Sequence, residues 1–185
     1  MERIPIIDEE GNRIGEEYRS IVHERELLHP AVRVLVRLPD GKFVFQLRSM
    51  QKESNAGKLT FTATGHVKSH QSLEEAGVEE LFEETGIQAK IEDLVYLGNI
   101  KSISGIEGTV SGGKQHRVFG YFFGYSYNGA LEDLKPEENE VDGFKAYSLD
   151  ELNKMSEQER KAFINIVFIP QVKNFFEKYE STISK

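Results

Sequence analysis

Residues 65–87 read GHVKSHQSLEEAGVEELFEETGI, and six of the eleven residues from Glu74 to Glu84 are glutamates. Ser72 followed three residues later by Glu75 is a capping-box pattern, and Gly86 stands where a left-handed glycine ends a helix. The stretch therefore predicts a helix over 71–85. Turning about 100° per residue, Val78, Leu81, Phe82 and Thr85 share one mainly apolar side, expected to face the core. Glu80, Glu83 and Glu84 fall within an arc of about 100° on another side, with Glu79 beside them. Two like charges ~6 Å apart repel by about 0.7 kcal/mol in water and by about 3 kcal/mol at an effective dielectric of roughly 20. A solvated helix face tolerates that cluster. In a partly buried setting it calls for a hard cation with oxygen ligands, Mg²⁺ or Mn²⁺.

The rest of the chain sets bounds on that choice. Its 185 residues, 38% hydrophobic and 29% charged, suit one globular domain. Within it we expect an N-terminal β segment over 1–28, a core over 29–155 and a helical segment over 156–185. A net charge of −8 with no run of Lys or Arg argues against a nucleic-acid polymer as partner. The absence of cysteine excludes disulfides, thiolate zinc sites and a cysteine nucleophile. No window resembles a membrane span, and MERIPIIDEEGN at the start lacks the apolar core of a signal peptide. The expected location is cytoplasmic, with no membrane partner.

Alternating patterns place the strands. IPIIDEEGNRIG reads as two short strands around a turn, and AVRVLVR (31–37) with KFVFQLR (42–48) reads as a hairpin about Pro39-Asp40-Gly41. Further strands are expected over 59–64, 89–100, 116–127 and 144–148, with a Gly/Ser-rich loop at 102–114. A short helix is expected over 149–154, and a longer one over 157–179 interrupted at Pro170. Strands of mixed direction with a few helices give an α/β sandwich.

Gly65, Glu80, Leu81, Glu83, Glu84, Gly86 and Ile87 stand at the spacings of the Nudix box, G-x5-E-x7-R-E-U-x-E-E-x-G-U, where U is apolar. Seven of its nine fixed positions match, on the loop–helix–loop that it requires. The chain resembles the Nudix family. VHERELLHPAVRVLVRLPDGKFVFQLRS, Lys52, the TGH at 64–66 and ENEVDGFKAYSLDEL (138–152) are similar to the branch related to isopentenyl-diphosphate isomerase. The fold so implied is an α/β/α sandwich with a mixed sheet.

The resemblance implies hydrolysis of a diphosphate linkage in a small nucleotide-like substrate, a nucleoside diphosphate linked to another moiety, with Mg²⁺ or Mn²⁺. By box position Glu83 and Glu84 would be ligands, aided by the backbone carbonyl of Thr64, and Glu80 a further ligand or the base that activates water. Glu140 matches an additional acid used as ligand or base, and Arg48 and Lys52 would meet phosphate oxygens. A homodimer, common in the family, stays open. Two fixed positions depart: Gln71 replaces the box Glu, and Glu79 replaces the Arg that pairs with acids of the box. These changes suggest weaker metal binding, and restoring Glu at 71 with Arg at 79 is expected to raise metal affinity. They also keep open a protein that binds a nucleotide or diphosphate without turnover. Without metal, the clustered acids are expected to hold raised pKa values. The isomerase's own chemistry is not expected, since the related enzyme needs a cysteine where Thr64 stands and acids where Gln115 and Arg117 stand. His23, His29 and His66 echo its histidine ligands, although lone histidines more often serve hydrogen-bonded structure. Phe119, Tyr121 and Phe123 share one strand face, as core packing or as a base-stacking platform.

Overall fold

The computed structural model describes residues 2–52, 54–101 and 117–183. Strands β1 (Arg3–Ile7) and β2 (Arg13–Tyr18) form an antiparallel ribbon, and helix α1 (Arg19–Glu24) leads into the central strand β3 (His29–Arg37). A seven-stranded mixed sheet is built on β3 and β4 (Phe43–Arg48). The expected hairpin joins them only beside the turn, at Val36↔Val44 and Arg37↔Phe43. Beyond it the two strands splay and each takes other partners.

The segment expected as one strand over 59–64 bridges that splay as two. β5 (Leu59–Phe61) pairs with β4, and β6 (Ala63–His66) pairs with β3. Thr62 makes the changeover: its hydroxyl accepts from Val36 N–H at 3.0 Å and donates to the Val44 carbonyl at 2.5 Å. The side chain thus replaces ladder bonds that the splayed backbones cannot make to each other. β6 ends at Gly65 and His66, which delivers the box to the open side of this split. Helix α2 (Leu73–Thr85) follows.

β7 (Val95–Ile100) is antiparallel to β8 (Val118–Ser126), which runs parallel to β3 from His29↔Val118 to Arg37↔Ser126. The strand expected from Ala89 begins only at Val95, because Ile91–Asp93 forms a 3-10 turn capped by Asp93 on the Lys90 N–H. β9 (Val141–Tyr147) adds antiparallel to β4, followed by α3 (Leu149–Lys154) and α4 (Glu157–Arg160). The long helix expected over 157–179 is broken earlier than Pro170. Leu59 and Phe163 form a β-bridge, a 3-10 turn spans Asn165–Phe168, and α5 (Pro170–Ile183) starts at the proline. Proline suits a first helical position, where its missing N–H has no partner to lose.

Side-chain alternation then sorts the layers. Val32, Val34 and Val36 of β3, Val44 of β4 and Phe123 of β8 lie with Ala76 and Leu81 of α2. Leu35, Phe43, Phe45 and Phe122 face the opposite way, onto Phe176 and Tyr179 of α5. The result is an α/β/α sandwich with a mixed sheet. Phe119 packs with Ile7 of β1 and with Leu28, just before β3, and Phe123 packs beneath α2, so both rings serve core packing rather than a stacking platform. The loop 102–114 and Gln115 lie outside the described residues. Among the described residues no helix is long and apolar enough to cross a membrane.

Candidate metal and diphosphate site

Helix α2 carries the capping box expected for it, with Ser72 accepting from Glu75 N–H and Glu75 accepting from Ser72 N–H. Gly86 closes it in the left-handed conformation at φ 75°. The helix is nevertheless rotated from the expected orientation. Its buried residues are Ala76, Gly77, Leu81, Glu84 and Thr85, whereas Phe82 is 50% exposed. On a helical projection that face is centred close to Glu84, with Glu80 one turn before it. The acids therefore share the side that meets the sheet, and the expectation of a core face opposite them is corrected. Leu81 and Thr85 fill one half of this side, and the carboxylates fill the half over the split between β3 and β4.

Glu84 is 6% exposed and held from two directions. Gln46 Nε2 donates to its Oε2 at 2.8 Å, and Thr64 N–H donates to the same oxygen at 2.7 Å. Gln46 was not among the expected site residues. Its signal is the alternation of β4, which puts Gln46 on the same face as Arg48 and opposite Phe45. Glu80 lies flat on Gly65, where a β-carbon would stand 1.9 Å from its carboxyl carbon. The box glycine is needed here for space.

Burial, with repulsion from Glu84 and Glu83, pushes the Glu80 carboxyl up to about 9. Burial pushes Glu84 up to about 8, against the opposing pull of the Thr64 and Gln46 hydrogen bonds. Glu83 is exposed and stands on the same wall. The raised values expected for clustered acids are thus found at buried Glu84 and at half-buried Glu80. Such a pair either keeps its protons or meets a cation.

These acids line a cavity of about 730 Å³ that also receives Thr64, Arg48, Lys52 and Glu140. Lys52 is ion-paired with Glu140, and the Arg48 guanidinium donates to the Ser54 carbonyl at 3.2 and 3.3 Å. Every expected site residue therefore reaches one cavity. Glu137 joins them unanticipated, its carboxyl raised by burial and then by Glu140 and Glu83. The donor set is oxygen-rich and anionic, which fits Mg²⁺ or Mn²⁺.

The same cavity reaches His23 and His66. His23 Nε2 and His66 Nε2 lie 3.1 Å apart, and His29 Nδ1 is 2.8 Å from the Leu27 carbonyl. One ring nitrogen from each of His23, His29 and His66 falls within 4.8 Å of the others. Three residues from α1, β3 and β6 thus form a nitrogen donor set of the kind preferred by zinc and other transition metals rather than Mg²⁺. Arg117, expected in place of an isomerase acid, pairs instead with Glu9 at 2.6 Å.

A NUDIX domain model matches residues 27–167. The chain is 33% identical over 154 residues to an uncharacterized Nudix hydrolase of Clostridium acetobutylicum, covering 82% of this chain and 72% of that protein. An isopentenyl-diphosphate Delta-isomerase of Serratia proteamaculans is 29% identical over 93 residues, about half of either chain (50% and 52%). A crystal structure from Deinococcus radiodurans superposes with a TM-score of 0.60 at 22% identity, covering 82% of this chain and 86% of that one, which supports the fold.

Proposed function

The chain belongs to the Nudix family, and from that premise we propose that it hydrolyses a diphosphate linkage in a small nucleotide-like substrate, with Mg²⁺ or Mn²⁺ held by Glu80, Glu83, Glu84 and the Thr64 backbone. The observation that carries this reading is buried Glu84 with half-buried Glu80 beside it, on the wall of a cavity that Arg48 and Lys52 also line. When bound, the cation supplies charge neutralisation at diphosphate oxygens and raises the acidity of water. The remaining work belongs to the chain. Gln46 and Thr64 N–H orient Glu84, so its second oxygen stays available toward the cavity. Gly65 fixes the place of the Glu80 carboxyl, which serves as a ligand or accepts the proton of the attacking water. Arg48 and Lys52 bind phosphate oxygens, Lys52 exchanging Glu140 for substrate, which leaves Glu140 as a second proton acceptor.

The test is a screen of (d)NTPs, nucleoside diphosphates, nucleotide sugars, ADP-ribose and dinucleotide polyphosphates with Mg²⁺ or Mn²⁺. Turnover that disappears in Glu83→Gln and Glu84→Gln is the expected result. The departures at Gln71 and Glu79 favour a second reading, binding without turnover. Thermal stabilisation by one nucleotide with no product would select it. Isomerase activity is not part of the proposal, because Thr64 offers a hydroxyl where a thiol is required and the chain has no cysteine.

A further inference from the structure

The two departures from the box meet each other, and a third residue joins them. Lys68 Nζ and Gln71 Nε2 both donate to Glu79 Oε2, the latter at 2.6 Å. Lys68 N–H donates to Gln71 Oε1 at 3.0 Å, and Gln71 N–H donates back to the Lys68 carbonyl at 3.0 Å. The Gln71 amide is therefore engaged at both ends, and the turn 68–71 is stapled to the first half of α2. Lys68 and Glu79 side chains are about one-third exposed, 30% and 36%. Lys68 lines the cavity together with Glu80 and Glu83. The Glu79 hydrogen bond raises the Lys68 pKa despite partial burial, and Glu83 and Glu80 add to that rise.

In the box, positions 71 and 79 hold an acid and an arginine, while position 68 is unspecified. Here the positive charge has moved from the helix to the turn and the negative charge from the turn to the helix. Lys68, Gln71 and Glu79 together carry no net charge, as the acid–arginine pair does. We propose that Lys68 balances the charge beside this site, and that Lys68–Gln71–Glu79 is a charge-inverted substitute for the box's own pair. It clamps the acidic helix to the turn after β6 and keeps Glu79 from adding a fourth carboxylate to the cation site. The inference rests on the reading of Glu80, Glu83 and Glu84 as that cation site.

A consequence reverses the expectation drawn from sequence. Restoring Glu at 71 and Arg at 79 while Lys68 remains leaves one excess positive charge beside Glu80 and Glu83. That double change weakens cation binding instead of strengthening it.

The experiment titrates Mn²⁺ into the full chain, followed by electron paramagnetic resonance. Wild type is compared with E79Q, K68M, K68M/E79Q, Q71E/E79R and K68M/Q71E/E79R. One uncompensated charge at this range weakens binding roughly three- to tenfold. That loss is expected in E79Q and Q71E/E79R, and adding K68M to either returns affinity to within about twofold of wild type. K68R, which keeps the charge and the donor, leaves affinity unchanged. Tighter binding by Q71E/E79R, or no recovery with K68M, overturns the proposal. Urea unfolding in EDTA reads the clamp without any cation: K68M and E79Q each lower the midpoint, and K68M/E79Q falls no further than the worse single variant. Strictly additive losses also overturn it. Coupling in EDTA with no Mn²⁺ bound by wild type supports the clamp and removes the cation reading instead.

Discussion

Glu84 depends on its neighbours more than on its own side chain. It receives two hydrogen bonds on one oxygen and sits almost wholly out of water. Gln46→Leu removes one of those donors without touching a charge, and ionised Glu84 becomes harder to form. The expected outcome is a loss of about 10- to 100-fold in Mn²⁺ affinity, read by paramagnetic resonance, with the far-ultraviolet circular dichroism unchanged. Gly65→Ala acts by space. A β-carbon 1.9 Å from the Glu80 carboxyl forces that carboxyl aside, because β6 is fixed to β3 by its ladder. Displacing a reacting group by an ångström costs on the order of 100-fold in rate, so kcat falls by about that factor while unfolding by urea shifts little. Retained kcat in this variant would show that the position of Glu80 does not matter to turnover.

At the scale of elements, α2 and α5 use opposite faces of one sheet for different purposes. α2 gives part of its inward side to carboxylates, so the packing there is thin: Ala76, Gly77 and Leu81 against valines. α5 packs its inward side with Val172 and two large rings. Phe176 meets Phe43 edge-on at 4.7 Å, Tyr179 reaches Ser126 through its hydroxyl at 2.9 Å, and a β-carbon at Gly124 would lie 2.6 Å from the Tyr179 ring. Phe176→Ala is expected to cost about 3–5 kcal/mol, measured from urea midpoints, because the ring is buried among others that cannot close the gap. Cation affinity should stay at the wild-type value in the same variant, since α5 and the acids lie on opposite layers. A parallel loss of Mn²⁺ binding would mean that the layers are coupled.

For the molecule as a whole, the proposed cation site would link binding to stability. Glu80 and Glu84 hold protons in the fold up to about 9 and about 8, while in the unfolded chain they release them near the ordinary value of 4.5. Folding stability from these groups is therefore fully present below about pH 4.5 and is lost as pH rises through about 8 to 9. On the proposed reading, a divalent cation replaces the protons. Melting temperature in EDTA should fall between about pH 6 and pH 9, and Mg²⁺ should raise it more at the upper pH than at the lower. An equal Mg²⁺ effect at both would separate cation binding from these two acids. The site itself is a whole-molecule product. β4 contributes Gln46 and Arg48, β6 contributes Thr64 and Gly65, α2 the acids, and the turn before β9 contributes Glu137 and Glu140.

Local patterns in the chain determined the family frame, the limits of α2, the hairpin turn and the expected site residues. The limits of α2 and the hairpin turn rest on residues a few positions apart, read from the helical or strand period, whereas the family frame and the site residues followed from the resemblance of the box and its flanks. What faced what was decided only in the folded molecule. The rotation of α2 that turns Glu84 inward depends on the splay of β3 and β4, which opens a polar gap that an isolated wheel does not contain. The break at Thr62 and the early end of α4 depend on distant pairings, with Val36, Val44 and Leu59. Under the proposal for Lys68, the reading of Gln71 and Glu79 as losses changes for the same reason. Their contacts include Lys68, an unspecified position of the motif, and electrostatic energy follows distance in space rather than membership of a pattern.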